Sequence, residues 1–504
     1  MYRLEPPVSA QISGKKVLHR QPPLVQPFQS CFCTIPAASP WYSAGVTRES
    51  ADAAAQSPQP STAAAPRITA WHFTTVVLLA VGYSGYYFCR SNLSVVLPLL
   101  IQDMARQGVS ADAAKIHFGF MVSIGVLAYA LGKFLSGSMA DLFGGRRNFI
   151  GGMGGAIFFT LLFAVSGGFP LFTLAWLGNR LFQSAGWAGL VKVTSRWFSY
   201  STYGTVMGFL ALSYLFGDAI SRYIMSLLLD AGMGWRGIFF TGAGLLGCLF
   251  LANLLLLRET PQQRGLPAPI ANPLNVYGTD AEPEHGPRQS LGEILRPLFS
   301  SPTFWVVCLI SLGSTLLRET FNFWTPTYFV QFVGLTSSQA ASRSALFPFF
   351  GGMSVIVSGI LSDRLGLNGR NRVLFAGLAL AALCLAGLAV TPSTANPWVP
   401  VSLVALTGFL MLGPYAYLSG AISLDFGGKH GSATAAGTID GVGYLAGYLS
   451  GDAVARVTVL YGWGRAFGLL AGIAVLTAVA AFVLLIRTHK VAPELSPVGP
   501  EGEA

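Results

Sequence analysis

Long apolar stretches separated by short polar connections run through the chain from residue 71 to residue 487. Each stretch approaches or exceeds the roughly 20 residues that an α-helix needs to cross the hydrocarbon core of a bilayer. We count twelve of them: 71–101, 116–140, 148–166, 170–197, 203–229, 235–257, 303–330, 338–362, 372–391, 398–424, 431–459 and 462–487. The pattern predicts an all-α polytopic membrane protein with twelve transmembrane helices, numbered below as spans 1 to 12.

Composition supports this class, because only 10% of the 504 residues are charged whereas soluble domains carry about 25%. The net charge of +10 concentrates in the even-numbered connections, and cytoplasmic loops are rich in Lys and Arg. Both termini are therefore predicted to be cytoplasmic, the lipid bilayer is the expected partner, and nothing in the basic pattern favours a nucleic acid. The basic residues in question are Arg146, Arg147, Arg196, Arg258, Arg264, Arg288, Arg296, Arg364, Arg370, Arg372 and Lys429.

The two ends of the chain differ from the apolar part. Residues 1–66 are rich in Pro, Ser, Ala and Gln and cannot bury a core, so we expect a disordered extension there and a second disordered tail over 491–504. We expect a bacterial inner membrane, with an organelle membrane as the alternative if residues 1–66 are a transit segment.

An internal repeat divides the spans into two sets of six. GSMADLFGGRR at the end of span 2 and GILSDRLGLNGR at the end of span 8 share the spacing Gly-x-x-x-Asp-x-x-Gly, followed by basic residues. The repeat predicts two pseudo-symmetric six-helix halves, 67–258 and 303–490, joined by a cytoplasmic linker over 259–302. The residues proposed to act in these connections as conformational elements are Asp141, Arg146, Asp363 and Arg364.

Two six-helix halves with this loop after the second helix of each resemble the major facilitator superfamily (MFS), and the resemblance covers about residues 68–490. It implies a substrate site near the bilayer midplane between the halves, and rocker-switch alternating access.

Charges inside the apolar spans are functional candidates, because a charge at the bilayer centre costs about 2.5–3.5 kcal/mol on insertion scales. Arg90, Arg318 and Lys133 lie well inside spans 1, 7 and 2. Glu319 follows Arg318 directly, and neighbours in a helical sequence do not face each other. The arginines could pair with a carboxylate on another helix, such as Glu319 or Asp440. We favour the alternative that they face a central cavity and bind an anion through the planar guanidinium fork.

Two further charged pairs occur at helical spacing. GDAISR (217–222) in span 5 is repeated as GDAVAR (451–456) in span 11, which places Asp218 four residues before Arg222 and Asp452 four residues before Arg456. This spacing favours a pair on one helix face. Each pair either neutralises itself near the outer end of its helix or acts as an outer gate.

Five segments carry a closer resemblance, to the organophosphate:phosphate antiporter family of glycerol-3-phosphate and hexose-phosphate exchangers. They are YSGYYFCRSN (83–92), LGKFLSGSMAD (131–141), LFQSAGWAG (181–189), LLRETFNFWTPTYF (316–329) and AAGTIDGVGYLAGYLSG (435–451). The resemblance implies that Arg90 and Arg318 clamp a phosphate group from the two halves while Lys133 adds positive charge. It also implies pocket-lining tyrosines at Tyr83, Tyr87, Tyr129 and Tyr448.

The chain departs from this family at two positions. Where the exchangers commonly have a histidine in helix 5, this sequence has Tyr214, which can form hydrogen bonds but does not titrate near neutral pH. Asp440 in span 11 is a further charge that could neutralise a site arginine in the empty state or contact a substrate hydroxyl.

These features together predict a monomeric transporter that exchanges a phosphorylated small organic molecule, of sugar phosphate or glycerol phosphate type, for inorganic phosphate. The sequence has no Gly-x-x-x-x-Gly-Lys-[Ser/Thr] loop for ATP and no recognisable catalytic triad or metal cluster, so neither an enzyme nor a cofactor is expected. The alternatives are a facilitator for another organic anion, and a membrane sensor of sugar phosphate that uses the 259–302 linker or residues 1–66 to contact a partner.

Overall fold

The computed structural model describes residues 68–267, 296, 298–366 and 368–491, without some side chains such as those of residue 141 and residues 424–434. Its regular elements are helices throughout the described part. Spans 1 to 6 comprise Ala70–Tyr86 with Asn92–Arg106, Ala111–Phe143, Gly145–Val165, Phe169–Trp197, Tyr200–Asp230 and Trp235–Leu256. Spans 7 to 12 comprise Pro302–Gln331, Ser337–Ser344 with Leu346–Arg364, Gly369–Val390, Trp398–Tyr415, Ser423–Gly447 with the first part of Asp452–Val491, and the rest of Asp452–Val491, which is divided between spans 11 and 12 at the non-helical Gly462. The predicted extension 1–66, the predicted tail 491–504 except residue 491, and most of the 259–302 linker lie outside the described residues.

Length and apolar composition support the prediction of a polytopic membrane protein. Within the described part, eight helical stretches are long and apolar enough to cross a membrane, and one of them, Ala435–Thr488, contains most of spans 11 and 12 together. Spans 1, 4 and 5 do not belong to this set. Span 1 is divided into two shorter helices, whereas spans 4 and 5 carry buried charges at Arg180 and at Asp218 and Arg222. These three polar spans line one cavity between the halves.

Two of the spans predicted as single helices are interrupted by 3-10 turns. Span 1 is not one helix over 71–101, because a 3-10 turn at Tyr87–Cys89 separates its two helices immediately before Arg90. Span 11 is interrupted in the same way by a 3-10 turn at Tyr448–Ser450. Helical periodicity therefore fails at the positions that carry candidate site residues, and the backbone groups released there need partners from other spans.

Glu259 ties three spans together on the side of the protein that carries the two Gly-x-x-x-Asp connections, which we call the motif face. Its carboxylate accepts hydrogen bonds from the backbone N–H groups of Gly145 (2.8 Å) and Arg146 (2.7 Å) and from the Arg196 guanidinium (2.5 Å). An anion at a helix N-terminus is stabilised by the helix dipole and by unpaired N–H groups. The Arg146 guanidinium donates to the carbonyl oxygens of Leu254 and Leu257, both at 2.7 Å.

The structure thus gives Arg146 the role of linking the start of span 3 to the end of span 6. Asp363 and Arg364 are exposed at the end of span 8. The side chain of Asp141 is outside the described set.

Replacing Glu259 with glutamine is expected to lower the free energy of unfolding by about 1–2 kcal/mol, because charged hydrogen bonds of this kind contribute about 1.5–3 kcal/mol when buried and less when partly exposed. Thermal unfolding of the detergent-purified protein measures this. Asp230→Asn, at the exposed end of span 5, is the matched control. Equal melting temperatures for the two variants would contradict the assigned role of Glu259.

Candidate functional site

Arg90 owes its position to a relay of amide side chains in span 4. The Nε2 atom of Gln183 donates to the carbonyl oxygen of Cys89, inside the break of span 1, at 2.9 Å and to Asn179 Oδ1 at 2.5 Å. The Nδ2 atom of Asn179 in turn donates to Thr160 Oγ1 at 2.9 Å. These bonds satisfy a carbonyl in the irregular segment and anchor the backbone next to Arg90 to spans 3 and 4.

A cavity between the halves receives the side chains of both predicted arginines. Arg90 and Arg318 line it, from spans 1 and 7 respectively, and Tyr87 and Tyr214 line it as predicted. The other polar residues of the lining are Ser91, Ser94, Arg180, Asp218, Arg222, Glu319 and Asn322. The structure therefore brings the two symmetric arginines to one cavity, and it adds a third arginine that the sequence analysis did not single out.

Aromatic rings hold the guanidinium groups of this cavity. The Arg90 guanidinium carbon lies 4.6 Å from the centroid of the Tyr129 ring and 5.4 Å from that of Tyr87. Arg318 lies 4.9 Å from the Tyr415 ring and donates to the hydroxyl of Tyr444 at 3.3 Å. Such contacts between cations and aromatic rings contribute about 0.5–2 kcal/mol each, which orients a cation but does not neutralise its charge.

The expectation that Arg318 and Glu319 do not pair was wrong. The Arg318 Nη2 atom lies 2.7 Å from Glu319 Oε1. The two Cβ atoms point in different directions on the helix, but the long, flexible arginine side chain lets its guanidinium reach the neighbouring carboxylate. Both side chains are buried, with 9% and 7% of their residue surface exposed.

Lys133 and Asp440 pair with each other across the halves, with 3.3 Å between Lys133 Nζ and Asp440 Oδ2. Both line a second cavity closer to the motif face, together with Ser184, Trp187 and Tyr444. Among the described residues, Asp440 therefore forms its ion pair with a lysine and not with one of the site arginines in this conformation. Lys133 Nζ also lies 4.9 Å from the Tyr444 ring centroid.

The two i, i+4 pairs have different environments although their sequences repeat. Arg222 Nε donates to Asp218 Oδ1 at 2.9 Å, and both side chains are buried. The Arg222 guanidinium also donates to the Asn322 carbonyl oxygen (2.6 Å) in span 7, and Ser91 donates to Asp218. The Arg456–Asp452 pair is equally short, at 2.8 Å, but the Arg456 side chain is 56% exposed. The first pair joins the halves, whereas the second neutralises itself at the surface.

Three of the predicted tyrosines, Tyr83, Tyr129 and Tyr448, do not line either cavity, although the Tyr129 ring contacts the Arg90 guanidinium. Tyr83 lies behind Tyr87, with its ring centroid 5.5 Å from that of Trp187. Tyr448 begins the 3-10 turn of span 11, and its carbonyl oxygen accepts a hydrogen bond from Ser123 Oγ. Tyr444, one helical turn earlier, takes the place predicted for Tyr448 and packs 5.5 Å from the Tyr129 ring.

Arg180 and Tyr444 were missed, although a signal existed for each. Arg180 is a charge within an apolar span, which is the criterion that selected Arg90. Tyr444 follows Asp440 at i+4 and so shares its helix face.

The halves are closed on one side of the cavity. The side opposite the motif face carries hydrogen bonds between the halves, from Ser94 to the Phe323 carbonyl oxygen (2.7 Å), from Lys115 to Gln331 (3.1 Å) and from Ser338 to the Ser226 carbonyl oxygen (3.0 Å). Of the bonds between the halves that the described residues make, Lys133–Asp440 lies nearest the motif face. The described residues contain no group of three or more His, Cys, Asp or Glu side chains that could hold a metal ion.

Comparison with known proteins places these features in context. The family model described as Major Facilitator Superfamily matches residues 79–451. The chain is 26% identical over 412 residues to a protein named probable hexose phosphate transport protein from Chlamydia pneumoniae, covering 78% of this chain and 86% of that protein. It is 27% identical over 408 residues to the glycerol-3-phosphate transporter of Bacillus subtilis, covering 79% and 89%.

Another relative has a name of a different kind. The membrane sensor protein UhpC of Salmonella typhimurium is 25% identical over 433 residues, covering 84% of this chain and 93% of that protein. Among solved structures, an inward-facing, unoccupied bacterial homologue of the human lysosomal transporter Spinster has a TM-score of 0.66 and 16% identity, covering 86% of this chain and all of that one. At this identity the structural match concerns the fold alone.

Proposed function

The chain belongs to the major facilitator superfamily, and from this premise we propose that it transports a phosphorylated small organic molecule, of sugar phosphate or glycerol phosphate type, in exchange for inorganic phosphate. The observation that carries the proposal is the excess of buried arginine over carboxylate in the cavity between the halves. Four arginines line it, against the carboxylates of Glu319 and Asp218. A buried excess of positive charge is costly, and an anionic substrate would compensate for it.

The relatives support a phosphorylated substrate, because a hexose phosphate transport protein and a glycerol-3-phosphate transporter align over more than three quarters of this chain. Arginine suits this chemistry, since its planar fork donates two parallel hydrogen bonds to phosphate oxygens. Tyr129, Tyr415 and Tyr444 surround the guanidinium groups and offer hydroxyls to the organic part of a substrate.

The proposed mechanism is alternating access by rocking of the halves, residues 67–258 and 303–490, on one another. The motif face would be cytoplasmic, since it carries the basic connections, and so would both termini. The bonds made by Ser94, Lys115 and Arg222 would then close the outer side, and Asp218–Arg222 would act as the outer gate. For the cavity to open to the outer side, these bonds must break. New contacts between the halves must then form at the motif face, in addition to the Lys133–Asp440 pair.

Proteoliposomes that contain the purified protein and labelled internal phosphate test the proposal. External sugar phosphates or glycerol phosphates are expected to release the label, and external phosphate alone is expected to support self-exchange. Release by carboxylates but not by phosphate esters would favour a facilitator for another organic anion. Binding of an ester without any release of label would favour a sensor, the class to which one of the relatives belongs by name.

A further inference from the structure

Arg180 is a buried cation without a carboxylate partner among the described residues. Only 4% of its surface is exposed, and it lines the cavity between the halves. Its guanidinium carbon lies 4.8 Å from the Tyr129 ring centroid and 5.8 Å from that of Trp176. Ring contacts stabilise a cation only weakly, and burial of an unpaired charge is costly. A purely structural role therefore leaves the presence of this charge unexplained.

Arg90 contacts the same ring as Arg180 and likewise has no ion-pair partner among the described residues. The guanidinium carbons of Arg90 and Arg180 lie 4.6 Å and 4.8 Å from the same Tyr129 centroid, so they are separated by no more than the sum of these distances. At this range the two positive charges repel each other. Phosphate offers oxygens in several directions, so one phosphoryl group can accept hydrogen bonds from two guanidinium groups at once.

The other cations around the two cavities already have partners. Arg222 pairs with Asp218, Lys133 with Asp440, and Arg318 with Glu319. Glu319 lies within electrostatic range of Arg90, Arg180 and Arg318. Its short contact is with Arg318. Two positive charges, both contributed by the first half, therefore remain uncompensated among the described residues.

We infer that the phosphoryl group of the substrate is held between Arg90 and Arg180, and that Glu319 neutralises Arg318 in this conformation. The inference rests on the proposed function and identifies its anion-binding site, formed by Arg90 and Arg180, which we call the seat. Two uncompensated charges match a dianion, so the seat takes the doubly charged form of inorganic phosphate or of a phosphate monoester in preference to a monocarboxylate. Arg318 can join the seat only when it exchanges Glu319 for the substrate, as the halves close.

Binding of labelled inorganic phosphate to the purified full-length protein tests this. Arg180→Gln is expected to raise the Kd by about 10- to 100-fold, the range that corresponds to the loss of one charged hydrogen-bonding group. The melting temperature of the ligand-free variant is expected to equal or exceed that of the wild type, because the repulsion between Arg90 and Arg180 is removed. If Arg180 had only a structural role, its replacement with glutamine would lower the melting temperature. Arg456→Gln, at an exposed pair, is the matched control and leaves the Kd unchanged.

Two further variants keep the test decisive if Arg180→Gln does not fold. Arg180→Lys retains the charge without the fork and is expected to bind phosphate between wild type and Arg180→Gln. Glu319→Gln frees Arg318 and is expected to lower the Kd at least about threefold, as a third uncompensated cation attracts the dianion more strongly.

The outcomes separate this inference from the function on which it rests. Wild-type protein that binds neither phosphate nor a phosphate ester overturns the proposed function, and the seat with it. If the wild-type protein binds phosphate and a folded Arg180→Gln or Arg180→Lys variant binds it with the same Kd, the assignment of the seat is overturned while the proposed function stands. Weaker phosphate binding by Glu319→Gln also overturns it, since that carboxylate would then be helping the anion instead of competing with it.

Discussion

Phosphate exchange is expected to fall at least about 100-fold when Arg90 is replaced with glutamine, because the variant loses two charged hydrogen bonds to phosphate, each contributing about 1.5–3 kcal/mol. Arg90 follows the break in span 1 and lines the cavity between the halves, where it is the cation that span 1 contributes. Arg90→Lys is expected to lose most of the activity as well, since a lysine is a point charge that cannot supply the bidentate fork.

The measurement is uptake of labelled phosphate into phosphate-loaded proteoliposomes, normalised to the amount of inserted protein. Arg456→Gln, in the exposed Asp452–Arg456 pair, is the matched control and is expected to exchange at the wild-type rate. An Arg90→Lys variant that inserts normally and exchanges at that rate would refute the assignment of Arg90 as an anion-binding residue.

The Asp218→Asn variant is expected to lose about 3–5 kcal/mol of stability, because removal of one partner leaves a buried charge uncompensated. In the structure Arg222 and Asp218 are 2% and 5% exposed, and Arg222 also donates to the Asn322 carbonyl oxygen and to Ser344 across the halves. The loss would be visible as a lower melting temperature in detergent. The double variant Asp218→Asn/Arg222→Gln is expected to recover part of it, since both charges are then absent.

The repeat provides the matched control, because Asp452 and Arg456 have the same spacing in the second half. The Arg456 side chain is 56% exposed, and exposed pairs contribute about 0–1 kcal/mol. Asp452→Asn is therefore expected to change the melting temperature little. Equal destabilisation by Asp218→Asn and Asp452→Asn would mean that burial does not distinguish the two pairs, and would contradict the role of the first as a link between the halves.

Several candidate site residues could be selected from local sequence because charges inside apolar spans are rare and costly. Arg90, Arg318 and Lys133 were found in this way, and the structure places the arginines in one cavity and the lysine in the adjacent one. Tyr448 was assigned from the family resemblance, whereas in the structure Tyr444, one helical turn earlier, lines a cavity. The 3-10 turn at Tyr448–Ser450 interrupts span 11 at this position.

The amino-acid sequence was sufficient for the class of protein, the approximate positions of the spans and the internal repeat, because these depend on hydropathy and spacing along a single segment. It did not indicate which charges are paired. Arg318 reaches Glu319, Lys133 reaches Asp440, and Arg180 is left beside Arg90 on the Tyr129 ring. These relations depend on side-chain reach and on contacts between spans that are distant in the chain. The packing of the spans therefore decided where the uncompensated positive charge lies, and hence where an anion is expected to bind.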